Sequence, residues 1–83
     1  MNPRVKNVKY EDPYKLVITF CNDEIKLFDL HGYLQYPVYN ALLDTAFCKK
    51  VKVYQGTVVW NDEIDFDPDT LYLESKSILE KIV

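Results

Sequence analysis

The sequence has little glycine, and the cysteine spacing that would suggest a metal or redox site is missing. With only two glycines among 83 residues, a glycine-rich phosphate loop is excluded. The two cysteines, Cys21 and Cys48, do not form a C-x-x-C pair. No apolar run reaches the roughly 18 residues of a membrane span, and the first residues lack the apolar stretch of a signal peptide. These absences predict a cytoplasmic protein with reduced thiols and no membrane contact.

The charge balance is weakly acidic. Ten basic and 13 acidic residues give a net charge of −3, whereas a nucleic-acid-binding domain is expected to be strongly basic. Binding to DNA or RNA is therefore not the first expectation, although two basic clusters interrupt the acidic background. Together they form a candidate basic patch, which consists of Arg4, Lys6, Lys9, Lys49, Lys50 and Lys52.

Alternating apolar residues predict two groups of strands. Residues 15–20 give the clearest strand, because Leu16, Ile18 and Phe20 share one face. Flanking strands over residues 4–10 and 24–29 complete an antiparallel meander. The step from Val5 to Val8 breaks the alternation and predicts a β-bulge between them. A second hairpin is predicted from residues 50–54 and 57–60.

Two helices are predicted, each with a proline in its first turn. Pro37 opens the first, whose apolar face is Tyr39, Leu42 and Leu43. Asp67 caps the second and Pro68 fills its first position. This second helix is expected either to continue to the C-terminus or to break at residues 75–77, and its apolar stripe is formed by Leu71, Ser75, Ile78 and Ile82. The result is an α+β two-layer sandwich in the order β-β-β-α-β-β-α, with helices on one face of an antiparallel sheet.

Five segments occur in a recognisable order: RVKNV at 4–8, YKLVITF at 14–20, FDL at 28–30, TVVW at 57–60 and DFDPDTLY at 65–72. The most specific is W-x-x-x-x-D-x-x-P-x-x-L-Y, which starts at Trp60. The chain resembles the small bacterial proteins of domain-of-unknown-function family 2442. The resemblance covers about residues 3–76, so we expect a single domain over residues 1–83 with a helical extension at 77–83.

The resemblance implies a meander, a helix, a hairpin and a final helix, and it implies no established activity. Some members of the family resemble companions of a second small protein in toxin–antitoxin-like gene pairs. The chain departs from the family at two turns, where Cys21-Asn22-Asp23 and Asn61-Asp62 replace turns that usually contain glycine. Asn22 and Asn61 are therefore the expected positive-φ residues.

No group of residues predicts catalysis or metal binding. The spacing Asp65-x-Asp67-x-Asp69 suggests a calcium loop, but the sixth position is Thr70 and the twelfth is Lys76, where glycine and glutamate are needed. The single histidine, His31, is expected to bond to Asp29 near a strand end. We therefore predict no enzymatic activity, no cofactor and no metal.

Aromatic residues are abundant for so short a chain, with seven tyrosines, four phenylalanines and one tryptophan. A core this small cannot bury all twelve rings, and exposed tyrosines are typical of protein interfaces. Phe20, Phe28, Trp60, Phe66 and Tyr72 are expected to face the core. The tyrosines near residues 33–39, Tyr54 and apolar residues near the C-terminus form the candidate protein interface, which consists of Tyr33, Tyr36, Tyr39, Tyr54, Ile78, Leu79 and Ile82.

Two functions from different classes follow from these patterns. The first is a non-catalytic protein-interaction or regulatory accessory module, which binds a partner protein or self-associates. The second is an antitoxin-like regulator that contacts nucleic acid through the basic patch or contacts a toxin partner. The aromatic surplus favours the first, and a contiguous basic face with salt-dependent binding would favour the second.

Overall fold

The computed structural model describes residues 2–61 and 64–77, which form two antiparallel sheets and several short helices. The larger sheet has the strand order β1 (Val5–Glu11), β2 (Lys15–Phe20), β3 (Ile25–Asp29) and β6 (Lys76–Ser77). The smaller sheet pairs β4 (Lys52–Tyr54) with β5 (Thr57–Val59). The predicted α+β class with an antiparallel sheet is confirmed. The predicted second hairpin forms a separate sheet, and β6 is an addition to the predicted order.

The helical elements lie between β3 and β4 and after β5. Two 3-10 helices, His31–Tyr33 and Pro37–Leu43, precede α1 (Thr45–Cys48). The last helix is α2 (Pro68–Glu74), which begins as predicted. The Asp67 carboxylate accepts a hydrogen bond from the backbone N–H of Thr70 at 3.1 Å, and Pro68 occupies the first turn.

The core lies between the helices and one face of the larger sheet. Leu16, Ile18 and Phe20 of β2 are fully buried, as their alternation predicts. The helical segments contribute four buried residues to the same apolar cluster, namely Leu34, Leu42, Cys48 and Leu71. The aromatic residues expected to face the core do so, with Tyr72 only half-buried.

The bulge predicted near the start of β1 is present. Val5 pairs with Phe20, but the next paired residue, Asn7, lies opposite Thr19. One residue of β1 therefore has no partner in β2. The insertion restores the alternation and turns Val5, Val8 and Tyr10 toward the core cluster.

The helix predicted from Pro37 is a 3-10 helix, and its predicted apolar face is partly wrong. Tyr39 is half-buried and Leu42 is fully buried, but Leu43 is 51% exposed. A 3-10 helix has three residues per turn. Residues spaced by three therefore share a face, whereas a residue spaced by four is turned away from it.

Of the two expectations for the last helix, the break at residues 75–77 is confirmed and the unbroken continuation to the C-terminus is wrong. α2 ends at Glu74, and Ser75 adopts an extended backbone with φ −81° and ψ 160°. Its side-chain hydroxyl donates to the Tyr72 carbonyl at 3.2 Å, a local bond that competes with helix continuation. Lys76 and Ser77 then pair with Leu27 and Lys26 as strand β6, so the predicted helical extension does not begin at residue 77.

The positive-φ positions differ from the prediction. In the turn after β2, Asp23 has the positive φ of 71°, whereas the Asn22 side chain accepts a hydrogen bond from the Glu24 N–H at 3.1 Å. Asn61 likewise uses its side-chain oxygen to accept from the Ile64 N–H at 2.9 Å. Both asparagines stabilise their turns through the side chain and keep negative φ.

The hairpin between β4 and β5 requires Gly56. Gln55 and Gly56 have φ values of 48° and 82°, as in a two-residue hairpin turn with both central residues in the left-handed region. A Cβ at Gly56 would also lie 2.9 Å from Cδ and 3.1 Å from Cβ of Arg4. The turn therefore tolerates no side chain here without rearrangement of Arg4.

Replacing Gly56 with alanine is expected to lower the free energy of unfolding by about 1–2 kcal/mol, because an L-residue disfavours the left-handed region. Urea denaturation measures the change. Gly32→Ala is the matched control, since a Cβ there meets no atom within 4 Å, and it should shift stability by no more than about 0.5 kcal/mol. Equal effects of the two substitutions would contradict this interpretation.

Candidate functional site: a tyrosine face

The structure brings three of the predicted interface tyrosines together. Tyr33 ends the first 3-10 helix, Tyr36 precedes Pro37, and Tyr39 lies in the second 3-10 helix. The ring centroids of Tyr33 and Tyr36 are 6.5 Å apart, and those of Tyr33 and Tyr39 are 5.8 Å apart. These distances are within the range of favourable aromatic pairs. We call Tyr33, Tyr36 and Tyr39 the tyrosine face.

The tyrosine face is anchored to the core by Phe66. The Tyr39 ring stacks on the Phe66 ring with centroids 4.8 Å apart and planes 1° apart. The Tyr33 ring meets Phe66 edge-on at 5.1 Å and also contacts Phe28 at 5.5 Å. Phe66 itself is only 3% exposed, so a buried ring holds two of the three tyrosines in place.

Exposure increases outward across the face. Tyr33 and Tyr39 are half-buried, whereas Tyr36 is 50% exposed. The expectation that Tyr33 and Tyr36 are both surface residues therefore holds for Tyr36 and only in part for Tyr33. The Tyr36 ring is therefore half-exposed and lies on a rigid aromatic base. Side chains that are already ordered before a partner binds lose little conformational freedom on binding.

Carboxylates lie next to the tyrosines. The Tyr33 hydroxyl donates to the Glu74 carboxylate, and burial together with this negative charge raises the pKa of Tyr33 to about 12. Burial also raises the pKa of Tyr39, with a further contribution from the charge of Asp65. Both phenols therefore remain protonated at neutral pH and act as apolar rings with a hydrogen-bonding end.

Tyr54, the fourth predicted interface tyrosine, lies apart from this group. It ends β4, is 55% exposed and pairs with Thr57 across the hairpin. It lines an open cleft of about 250 Å³, together with Lys52, Val59, Asn61 and Asp65. None of the three tyrosines of the tyrosine face lines this cleft, although Asp65 immediately precedes Phe66 in the chain.

The apolar part of the predicted interface at Ile78, Leu79 and Ile82 lies outside the described residues. Its participation in binding stays a prediction.

The basic patch is assembled from elements that contact one another. The N–H of Val5 donates to the Gly56 carbonyl at 2.8 Å, which places the start of β1 against the β4–β5 turn. The ammonium of Lys49 lies 6.0 Å from the centre of the Tyr10 ring. Lys6 is engaged elsewhere, since it forms an exposed ion pair with Asp23 at 3.2 Å. Arg4, Lys9, Lys49, Lys50 and Lys52 are all exposed, in addition to Lys6.

The other residues considered for chemistry have structural partners. The His31 ring nitrogen Nδ1 lies 2.6 Å from the Asp29 carboxylate, and the His31 N–H bonds to the same oxygen, as expected. Burial tends to raise the pKa of Asp29, but these two hydrogen bonds outweigh it and the pKa is lowered. Within residues 2–61 and 64–77, no three His, Cys, Asp or Glu side chains are grouped as metal ligands.

Sequence reasoning found the tyrosines but missed what supports them. The sequence predicts only that Phe66 faces the core, and it predicts no contact for Glu74. The sequence did contain a local indication that negative charge lies near Phe66, because Asp65 and Asp67 are its direct neighbours in the chain. Glu74 gave no local signal, because its contact with Tyr33 joins residues 41 positions apart.

Among the described residues, the helices are all too short or too polar to cross a bilayer. No curated protein and no solved structure matches the chain. The sequence profile of one family, described as protein of unknown function DUF2442, matches residues 5–77, which is nearly the whole chain. The chain therefore belongs to the DUF2442 family.

Proposed function

We propose that this protein is a non-catalytic protein-interaction module of an accessory or regulatory kind, which works in the bacterial cytoplasm and contacts its partner through the tyrosine face. One observation carries the proposal. A half-exposed Tyr36 is attached, ring by ring, to Tyr33, Tyr39 and the buried Phe66. Aromatic anchors on a rigid base are typical of the residues that dominate binding energy at protein interfaces.

Co-purification from the source bacterium tests this proposal. A tagged chain is compared with Tyr36→Ser and with Tyr54→Ser, a matched control because the two tyrosines are 50% and 55% exposed. Loss of a central aromatic anchor costs about 2 kcal/mol or more, so we expect Tyr36→Ser to reduce recovery of the specific partner at least about tenfold. Tyr54→Ser should retain most of it, as measured by quantitative mass spectrometry.

Equal recovery with the two variants would contradict the tyrosine face as the interface. If the partner is a second copy of the chain, light scattering should report a dimer that becomes a monomer in Tyr36→Ser. Circular dichroism on each variant separates loss of binding from loss of fold.

The second candidate is an antitoxin-like regulator that contacts nucleic acid. It is supported by the contact of β1 with β4 and β5, since Arg4 immediately precedes β1 and Lys52 begins β4. Binding through phosphates requires affinity that falls steeply with salt. We expect the double variant Lys49→Gln/Lys52→Gln to lose any DNA retention seen at low salt. Retention that is independent of salt or of these lysines would contradict this candidate.

A further inference from the structure

Carboxylates lie beside the tyrosine face, and no cation among residues 2–61 and 64–77 forms an ion pair with them. Glu74 accepts from the Tyr33 hydroxyl, and the exposed Asp65 and Asp67 flank Phe66. In the part of the chain that the structure describes, ion pairs within 4.0 Å are Lys6–Asp23 and His31–Asp29. None of the three carboxylates around the tyrosine face belongs to either pair.

Basic side chains do occur nearby, and they leave these charges unpaired. Lys15 and Lys76 share a small cavity of about 110 Å³ with Glu74, Asp29 and Leu27. Lys52 shares the larger cleft with Asp65. None of these lysines approaches Glu74 or Asp65 closely enough for an ion pair, so negative charge remains at the rim of an exposed aromatic surface.

Another tyrosine of the molecule, Tyr72, has both a carboxylate and a cation next to it. The Tyr72 hydroxyl donates to the Glu24 carboxylate at 2.5 Å, and the Lys26 ammonium lies 3.8 Å above the centre of the Tyr72 ring. Lys26 also donates to the Tyr72 carbonyl at 2.9 Å. A tyrosine ring, a carboxylate bonded to its hydroxyl and a lysine over the ring therefore form one unit.

Tyr33 and Glu74 repeat two parts of this unit and lack the third. The cations found over aromatic rings among residues 2–61 and 64–77 are Lys26 over Tyr72 and Lys49 over Tyr10. No cation from the described residues lies over Tyr33, Tyr36 or Tyr39. A cation is attracted to the negative face of an aromatic ring, and a neighbouring carboxylate adds to that attraction.

We propose that the tyrosine face binds an arginine or lysine side chain of the partner protein, with the Tyr36 ring as its platform and Glu74 and Asp65 as its counter-charges. This inference rests on the proposed function, since it names the chemistry of the partner at the same site. Charge complementarity supports it, because Glu74 is bonded to Tyr33, the charge of Asp65 acts on Tyr39 and the whole chain carries a net charge of −3.

A titration followed by nuclear magnetic resonance tests the inference with three synthetic pentapeptides blocked at both ends. Each has glycine at positions one, three and five, and arginine, glutamate or leucine at positions two and four. The arginine peptide is expected to shift the signals of Tyr33, Tyr36 and Tyr39, and added salt should weaken its binding. The glutamate and leucine peptides should leave these signals unchanged.

Variants separate the contributions of ring and charge. Glu74→Gln keeps a hydrogen-bond acceptor for Tyr33 and removes the charge, so we expect affinity for the arginine peptide to fall about two- to fivefold. Asp23→Asn is the control, because it removes the same charge from the turn between β2 and β3 and should not change affinity. Tyr36→Phe should retain binding, and Tyr36→Ser should abolish it.

Three results would overturn the inference. They are equal affinity of Glu74→Gln and the unaltered protein, equal binding of the glutamate peptide, and arginine-peptide shifts confined to other residues. A leucine peptide that shifts the three tyrosines while the arginine peptide does not would assign the face to an apolar occupant. In each of these cases co-purification that depends on Tyr36 would still support an interaction module, so the two proposals can fail separately.

Discussion

Replacing Phe66 with alanine is expected to lower the free energy of unfolding by about 3–5 kcal/mol, the range for large-to-alanine changes in a core. Phe66 is 3% exposed, and its ring contacts the rings of Phe28, Tyr33, Tyr39 and Trp60. The backbone of residue 66 remains hydrogen-bonded in the variant, since its N–H donates to the Val58 carbonyl at 3.3 Å and its carbonyl accepts from the Thr57 hydroxyl. The surrounding rings therefore cannot collapse fully into the space left behind.

A domain of this size is stabilised by about 4–12 kcal/mol, so the variant should lose a quarter or more of its free energy of unfolding. Urea denaturation followed by circular dichroism measures the change, and Tyr54→Ala is the control because that ring is 55% exposed. The control should shift stability by no more than about 0.5 kcal/mol. A loss below about 1 kcal/mol in Phe66→Ala would show that the ring does not hold the aromatic cluster together.

Phe66 also connects stability with the proposed binding site. A second variant, Phe66→Leu, keeps most of the buried apolar volume and removes the flat surface on which Tyr39 stacks. We expect it to fold while Tyr33 and Tyr39 become less ordered. Such a variant would bind the partner more weakly than its stability alone explains, because the rings would have to be ordered on binding.

Local patterns were sufficient for the elements whose structure depends on near neighbours. The Val5-to-Val8 step predicts the bulge because side chains of a strand alternate strictly, and the register shift lies between Val5 and Asn7. Asp67-Pro68 predicts the start of α2 because both residues act on the first turn alone.

Elements determined by distant partners could not be predicted in the same way. The apolar stripe from Leu71 onward continues past Glu74 at helical spacing, yet Lys76 and Ser77 form a strand. Their hydrogen bonds are made with β3, some fifty residues earlier in the chain. Helical spacing is a weak guide where tertiary pairing outweighs intrinsic propensity.

The candidate site, too, could be predicted from the sequence only in part. An excess of rings over core volume points to tyrosines near residues 33–39, and these do form one face. Their contact with Glu74 and Phe66 joins segments about 30 to 40 residues apart, and spacing along the chain carries no signal for such contacts. Composition thus identified the tyrosines that form the face, whereas only the fold shows how far each is buried and which charges lie beside them.

The two cysteines are expected to differ by at least about a thousandfold in their rate of reaction with a thiol reagent. Cys21 is exposed, whereas Cys48 is fully buried in α1, and both are free thiols. Burial raises the pKa of Cys48 to about 11, so the reactive thiolate is scarce as well as inaccessible. Cys48 should react only when the domain opens, and native equilibrium constants for opening are roughly 10⁻³ or smaller.

Mass spectrometry of a labelling time course measures both rates, and Cys21→Ser isolates the slow one. In denaturant the two thiols should react at similar rates, which controls for differences in sequence context. Native labelling of Cys48 within about tenfold of Cys21 would show that α1 opens locally, although its Cys48 carbonyl accepts the Trp60 indole N–H at 2.8 Å. If Cys48 reacts through global opening, Phe66→Ala should accelerate its labelling by two to three orders of magnitude, since 1.4 kcal/mol corresponds to about tenfold.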